Sequence, residues 1–200
     1  MTITLSGTGL QQIPSSEREV VYFDKARMEI NDPGGDPSSV WFVTNGLLVV
    51  EMITGNRQFG NDLFLPYDPW FSNIAGDLNG PIYIAMQGLL NASPQSVGTL
   101  LTEEVDRCGN VASDSSWGNC EIMVGHVDTV TDHGIAEPFW TFMNSQGLVY
   151  EDGDMFTDDL FLNPFYATGR PITEAYWTNV LVAGAPRDVL LQCFERRCLT

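Results

Sequence analysis

The sequence predicts an α+β fold, strand-rich, with two related units, antiparallel hairpins and one or two short helices. Three observations carry this expectation. Short β-branched and aromatic runs alternate with turn clusters, helical spacing appears in only two stretches, and two blocks of the chain echo each other. The length of 200 residues, 44% of them hydrophobic, suits a single domain over 1–200 with a substantial core. The echo divides that domain into pseudo-repeats at about 17–90 and 120–200, joined by 91–119.

Glu19-Val-Val-Tyr-Phe23 and Ala26-Arg-Met-Glu-Ile30 read as strands, with Asp24-Lys25 as the corner between them. Asn31 to Ser39 is a dense turn cluster of Asp, Pro, Gly and Ser. Val40 to Thr44 then reads as a strand, and Asn45-Gly46 before the apolar run Leu47–Ile53 is a strong hairpin signal. That run is equally readable as a short buried helix, because its apolar residues are continuous. Further strands are expected at Ile82–Met86, Cys120–Val124, Val180–Val182 and Val189–Cys193. Ser96 to Val105 reads as a helix, with Val97, Leu100, Leu101 and Val105 at helical spacing behind Pro94. Ala136 to Ser145 reads as a second helix. Pro138 sits in its first turn, Gly147 lies just past its end, and Phe139, Phe142 and Met143 form its apolar face.

The echo pairs Trp41–Glu51 with Trp140–Glu151, Asp62–Pro66 with Asp159–Pro164, and Phe23–Met28 with Phe194–Leu199. Much the same residues carry a family resemblance. Tyr22–Asp32, Trp41–Gly55, Asn163–Trp177 and Gln192–Thr200 resemble uncharacterised secreted proteins of environmental bacteria. A Gly-x-Pro-hydrophobic-Thr turn followed by a Phe-Glu-Arg hairpin is similar to the LGFP-type repeats of cell-surface proteins. The family has no established activity. The resemblance implies a secreted, repeat-built, non-catalytic protein.

Charge excludes several partners. Twenty-six acids against nine bases give a formal net charge of −17. A nucleic-acid binder needs a clustered basic face, and Lys25 with eight dispersed arginines supplies none. No run approaches the length of a membrane helix, so membrane insertion is not expected. Met1 to Leu10 lacks the basic and long apolar regions of a secretory signal and reads as a strand or an arm. The two ends suit a chain trimmed of a signal and flanking segments.

The four cysteines allow three disulfide connectivities. The local one, Cys108 with Cys120 and Cys193 with Cys198, is preferred because turn-forming residues lie between the members of each pair. The alternative is four buried thiols. A disulfide reading favours an extracellular setting.

Candidate chemistry is sparse. Met123-Val-Gly-His-Val-Asp-Thr-Val130 looks like the zinc-binding strand end of aminoacylase-type exopeptidases, in which His126 would ligate the metal and Asp128 would orient it. The required downstream Glu-Glu pair is missing, and the chain is short for that fold. Glu151 to Asp159 holds five acids in nine residues, so Asp152, Asp154 and Asp158 are candidate calcium ligands. The competing reading is a solvated turn between Leu148–Tyr150 and Leu160–Leu162. A Ser-His-acid triad would have to use His126 or His133, and no nucleophile elbow is present. Tyr67 with Trp70, and Tyr176 with Trp177, lie near turn residues and are candidate platforms for a sugar ring or a protein partner.

The expected function is a non-catalytic extracellular or cell-surface module for binding or assembly, such as a filament or surface-layer subunit. Its partners would be further copies of itself or a surface glycan. The alternatives are a carbohydrate or cell-wall binding domain and a zinc hydrolase centred on His126 and Asp128. No cofactor is expected, and calcium is the one candidate ion.

Overall fold

A computed structural model describes residues 3–4, 18–23, 26–59, 63–67 and 71–200. It is strand-rich α+β, with antiparallel hairpins and a few short helices. Strands β1 (Ile3–Thr4), β2 (Glu19–Tyr22), β3 (Arg27–Ile30) and β4 (Val43–Asn45) form an antiparallel meander in that order. Helix α1 (Leu48–Thr54) follows, then the hairpin of β5 (Asn56–Gln58) and β6 (Phe64–Pro66), and a 3-10 helix at Tyr83–Leu89. Next come β7 (Glu103–Val105), β8 (Val111–Ser113) and a second 3-10 turn at Ser115–Cys120. Beyond them lie β9 (Val124–Asp128), β10 (His133–Ala136), helix α2 (Glu137–Met143), β11 (Gln146–Glu151) and β12 (Asp154–Asp159). The chain closes with β13 (Tyr176–Val182), β14 (Ala185–Cys193) and β15 (Cys198–Leu199).

The central element is a five-stranded sheet in the order β15-β14-β13-β7-β8. Its strands are antiparallel except where β7 runs parallel to β13, with Trp177 opposite Glu104. Side chains alternate across a strand, so the sequence Tyr176-Trp177 sends its two rings to opposite faces. On one face Tyr176, Leu191 and Cys193 pack with Val49 and Ile53 of α1 and with Met86 and Leu89. On the other, Trp177, Leu190 and Phe194 pack with Val124, Ile135, Phe139 and Met143. The sheet is therefore the middle of three layers, and β13 and β14 carry apolar residues on both sides.

The meander is tied to α1 by buried charge. Arg27 is 1% exposed and donates to Glu51, to Glu29 and, at 2.7 Å, to Gln58 Oε1. Tyr22 Oη donates to Glu51 Oε2 at 3.1 Å, and the Gln58 backbone N–H donates to Glu51 Oε1 at 2.6 Å. Burial opposes the Arg27 charge, but Glu51 and Glu29 outweigh it and hold the guanidinium above its ordinary pKa. Burial, reinforced by Glu51, pushes Tyr22 up as well.

This network explains Gly46. A Cβ there would lie 2.1 Å from Arg27 Nε, while its N–H donates to the Arg27 carbonyl at 2.6 Å. Asn45-Gly46 is thus not a hairpin turn. The chain passes straight into α1, which resolves Leu47–Ile53 as helix, and Gly55 closes it with φ 70°.

Several expectations hold: β2, β3, β13, β14 and α2 fall within or close to the predicted runs. Others are corrected. Cys120–Val124 is not a strand, since Cys120 ends a 3-10 turn, Glu121 takes φ 55° and β9 begins only at Val124. Ser96–Val105 is not a helix, because Gly98 takes φ +86° and Glu103–Val105 joins the central sheet. Ile82–Met86 is not a strand and forms the start of the 3-10 helix instead. In α2, Phe139 and Met143 are buried, whereas Phe142 is exposed and meets Phe161 edge-on at 5.3 Å. The segments paired by the sequence echo differ in form: Leu48–Thr54 is helix and Gln146–Glu151 is strand. The corner Asp24-Lys25 lies outside the described residues, as does all of the N-terminal stretch except β1, which pairs with Tyr22 and Val21 of β2.

Candidate functional site

The residues singled out in the sequence do not converge. Tyr176 and Trp177, expected as a binding platform, are 3% and 6% exposed. Trp177 stacks on Trp117 with centroids 4.6 Å apart and donates from Nε1 to the Leu101 carbonyl at 2.8 Å. Burial, then the charges of Glu103 and Glu174, push the Tyr176 hydroxyl far above its ordinary pKa, so it stays neutral. Both rings are core because β13 is covered on both faces. Tyr67 is half exposed, and the Arg57 guanidinium lies 3.9 Å from its ring centroid. Trp70 lies outside the described residues.

Of the two expected disulfides, Cys193–Cys198 is formed. Cys108 and Cys120 are exposed free thiols. Cys108 sits in the turn between β7 and β8, anchored by Asp106 Oδ1 accepting from its backbone N–H at 2.8 Å. Strand β8 then carries the chain away before Cys120 is reached, which keeps the two apart. Alkylation of the unreduced native protein is expected to add two adducts, at these positions, with Cys193 and Cys198 labelled only after reduction. Reduction should also cost roughly 2 kcal/mol of stability in a urea titration, the loop entropy for so short a closure.

The candidate calcium ligands Asp152, Asp154 and Asp158 are not brought together. Among the described residues no group of three or more His, Cys, Asp or Glu is placed to hold a metal ion. Asp154 and Asp158 stand four residues apart along β12, about 13 Å in an extended strand, so they cannot share one ion. Asp152 is not in that strand but in the turn before it.

His126 and Asp128 are likewise engaged separately. The His126 ring stacks on Trp140 at 4.0 Å. Asp128 accepts from Arg170 Nη1 at 2.6 Å, from Thr131 Oγ1 at 3.1 Å and from the Val130 backbone N–H at 3.2 Å. Burial raises its pKa, but these donors and the Arg170 charge outweigh that and hold the carboxyl below its ordinary value.

Two features remain. The first is the β11–β12 ribbon. Asp152 and Gly153 have φ of 53° and 95°, the left-handed pair that a two-residue hairpin requires. The acids of Glu151–Asp159 therefore do not form one loop: only Asp152 lies in the turn, and the others lie in strands. Tyr150 faces Met155 and Leu148 faces Thr157 across the ladder, which puts all four on one face. Leu148, Tyr150 and Met155 are 71%, 69% and 61% exposed. Among the described residues the ribbon is a sheet of two strands only, and neither outer edge is paired with any of them. From Glu137 to Gly169 the sequence carries six acids and no Lys, Arg or His.

The second feature is a buried polar cluster where β10 crosses the central sheet. His133 and Glu174 are 5% and 1% exposed. Glu174 Oε1 lies 2.9 Å from His133 Nδ1 and accepts from the Gly134 N–H at 3.0 Å, while Oε2 accepts from the Gln95 N–H at 3.3 Å. Backbone donors converge on that carboxylate, and as an ionised acceptor it takes a further hydrogen bond from His133 Nδ1–H. Gln192, fully buried, donates to the Gly134 carbonyl at 2.6 Å and the Thr173 carbonyl at 2.9 Å, and accepts from the Ala136 N–H. His133 also lines a cleft of about 280 Å³ beside α1.

No protein-family model, curated protein or solved structure matches the chain.

Proposed function

We propose that this protein is a non-catalytic extracellular or cell-surface interaction module that engages a basic protein partner through the β11–β12 ribbon. The observation that carries the reading is an apolar ribbon face turned to solvent: Leu148, Tyr150 and Met155. Exposed apolar area of this kind on a folded surface marks an interaction site. The unpaired ribbon edges suit strand addition, in which main-chain hydrogen bonds give affinity and alternate side chains give specificity. Charge selects the partner. The acids of Glu151–Asp159 and the net charge of −17 repel a second copy and attract a cationic segment. The Cys193–Cys198 disulfide supports an oxidising setting, and among the described residues no helix is long and apolar enough to cross a membrane. The resemblance read from Asn163–Trp177 and Gln192–Thr200 alone is in keeping with such a setting.

The test uses a fluorescent alternating Val/Lys peptide of about eight residues, long enough to add one strand. It should bind the full chain, and binding should weaken with added salt. Joint replacement Leu148→Ser and Tyr150→Ser should lower affinity about tenfold or more, as loss of central apolar anchors does. Unchanged binding in that variant would sink the reading. So would a stable dimer by light scattering that the same substitutions dissociate, since the occupant would then be a second copy.

A further inference from the structure

A separate site lies beside α1, in the cleft walled by Val50, Thr54, Leu90, Thr131, His133 and Ile172. Three of these six side chains are aliphatic. The polar ones share one property. Thr54 Oγ1 donates its hydrogen to the Val50 carbonyl at 2.7 Å and accepts from the Asn56 N–H at 3.2 Å. Thr131 Oγ1 donates to Asp128 Oδ2 at 3.1 Å, and Asp128 is held by Arg170. With the ring neutral, His133 Nδ1–H donates a hydrogen bond to Glu174, and Nε2 keeps its lone pair. No hydrogen bond reaches Nε2 from the described residues, although the side chain is more than nine-tenths buried. The hydrogens of both threonine hydroxyls and of the imidazole are engaged elsewhere. The side chains of this wall therefore present acceptors and no donor.

We propose that this cleft binds a small, mostly apolar molecule carrying one hydrogen-bond donor, such as a phenol, which His133 Nε2 accepts. An anion is disfavoured, because a carboxylate would meet the Nε2 lone pair with no donor opposite it. Size is consistent. A cavity of about 150 Å³ accommodates benzene, so about 280 Å³ accommodates a ring with a short substituent. The inference does not rest on the ribbon reading, since the cleft shares no residue with β11 or β12.

The experiment is a titration of the full chain with p-cresol, followed by the imidazole ¹⁵N resonances of its two histidines. The His133 Nε2 signal should shift saturably, and that of His126, stacked on Trp140, should stay in place. Toluene, which lacks the donor, should bind about five- to tenfold more weakly, the worth of one net hydrogen bond. p-Toluate should not compete. His133→Phe should reduce the p-cresol affinity to that of toluene. Leu90→Trp, at a half-buried wall position, should abolish binding while leaving the fold intact, and it serves if His133→Phe does not fold. Equal affinity for p-cresol and toluene would overturn the proposal. So would a His133 resonance that never moves, or wild-type binding in Leu90→Trp.

Discussion

Trp177→Ala is expected to destabilise the protein by about 3–5 kcal/mol, the range for deleting a buried aromatic side chain. The ring is 6% exposed, stacks on Trp117 and hydrogen-bonds to the Leu101 carbonyl. Its removal opens a cavity in the layer formed by Val124, Ile135, Phe139 and Phe194 and leaves the Leu101 acceptor without this donor. A binding-platform residue behaves differently, losing ligand affinity with little change in stability. Urea denaturation of the variant separates the two roles. A midpoint matching that of the wild type would return Trp177 to the surface and undo the three-layer description.

Arg27→Ala is expected to cost a comparable amount, about 3–5 kcal/mol, by leaving the buried Glu51 carboxylate without its cation, whereas Glu29 keeps Arg18 at 3.2 Å. Glu51 is 1% exposed, so it cannot turn to water without disturbing the buried face of α1. The origin of that cost is testable. If the penalty is uncompensated charge, the double variant Arg27→Met with Glu51→Met should be markedly more stable than Arg27→Ala alone. Additive losses in the cycle would mean that the pair contributes only as volume. Gly46→Ala should act on the same network, since its Cβ would displace the Arg27 side chain.

Much of the fold was legible where one physical signal acted alone. The β-branched alternation of Glu19–Tyr22 and the Pro138 start of α2 needed no tertiary help. The spacing at Val97, Leu100, Leu101 and Val105 misled. Gly98 in the left-handed region breaks the helix, and Leu101 and Val105 are buried for another reason, flanking and lying in a strand beside β13. Periodicity alone does not distinguish these cases.

The site residues were harder to read. Burial of Tyr176 and Trp177 depends on β13 being covered on both faces, which the position of a strand near turn residues does not report. The ribbon carried a usable signal in Asp152-Gly153, a favoured two-residue hairpin turn, but the surrounding acids masked it as a loop. Pairing of His133 with Glu174 spans 41 residues and arises only once β10 is laid beside the Thr173–Glu174 segment. No local pattern encodes it.

A basic partner seated on the β11–β12 ribbon would protect the ribbon's own backbone amides. Hydrogen–deuterium exchange of the full chain, with and without the alternating Val/Lys peptide, tests it most directly. Slowed exchange is expected to be confined to the amides of Gln146–Glu151 and Asp154–Asp159, where an added strand would engage the ribbon edges. Protection appearing instead around Tyr67 or along β8, or no protection at saturating peptide, would contradict it.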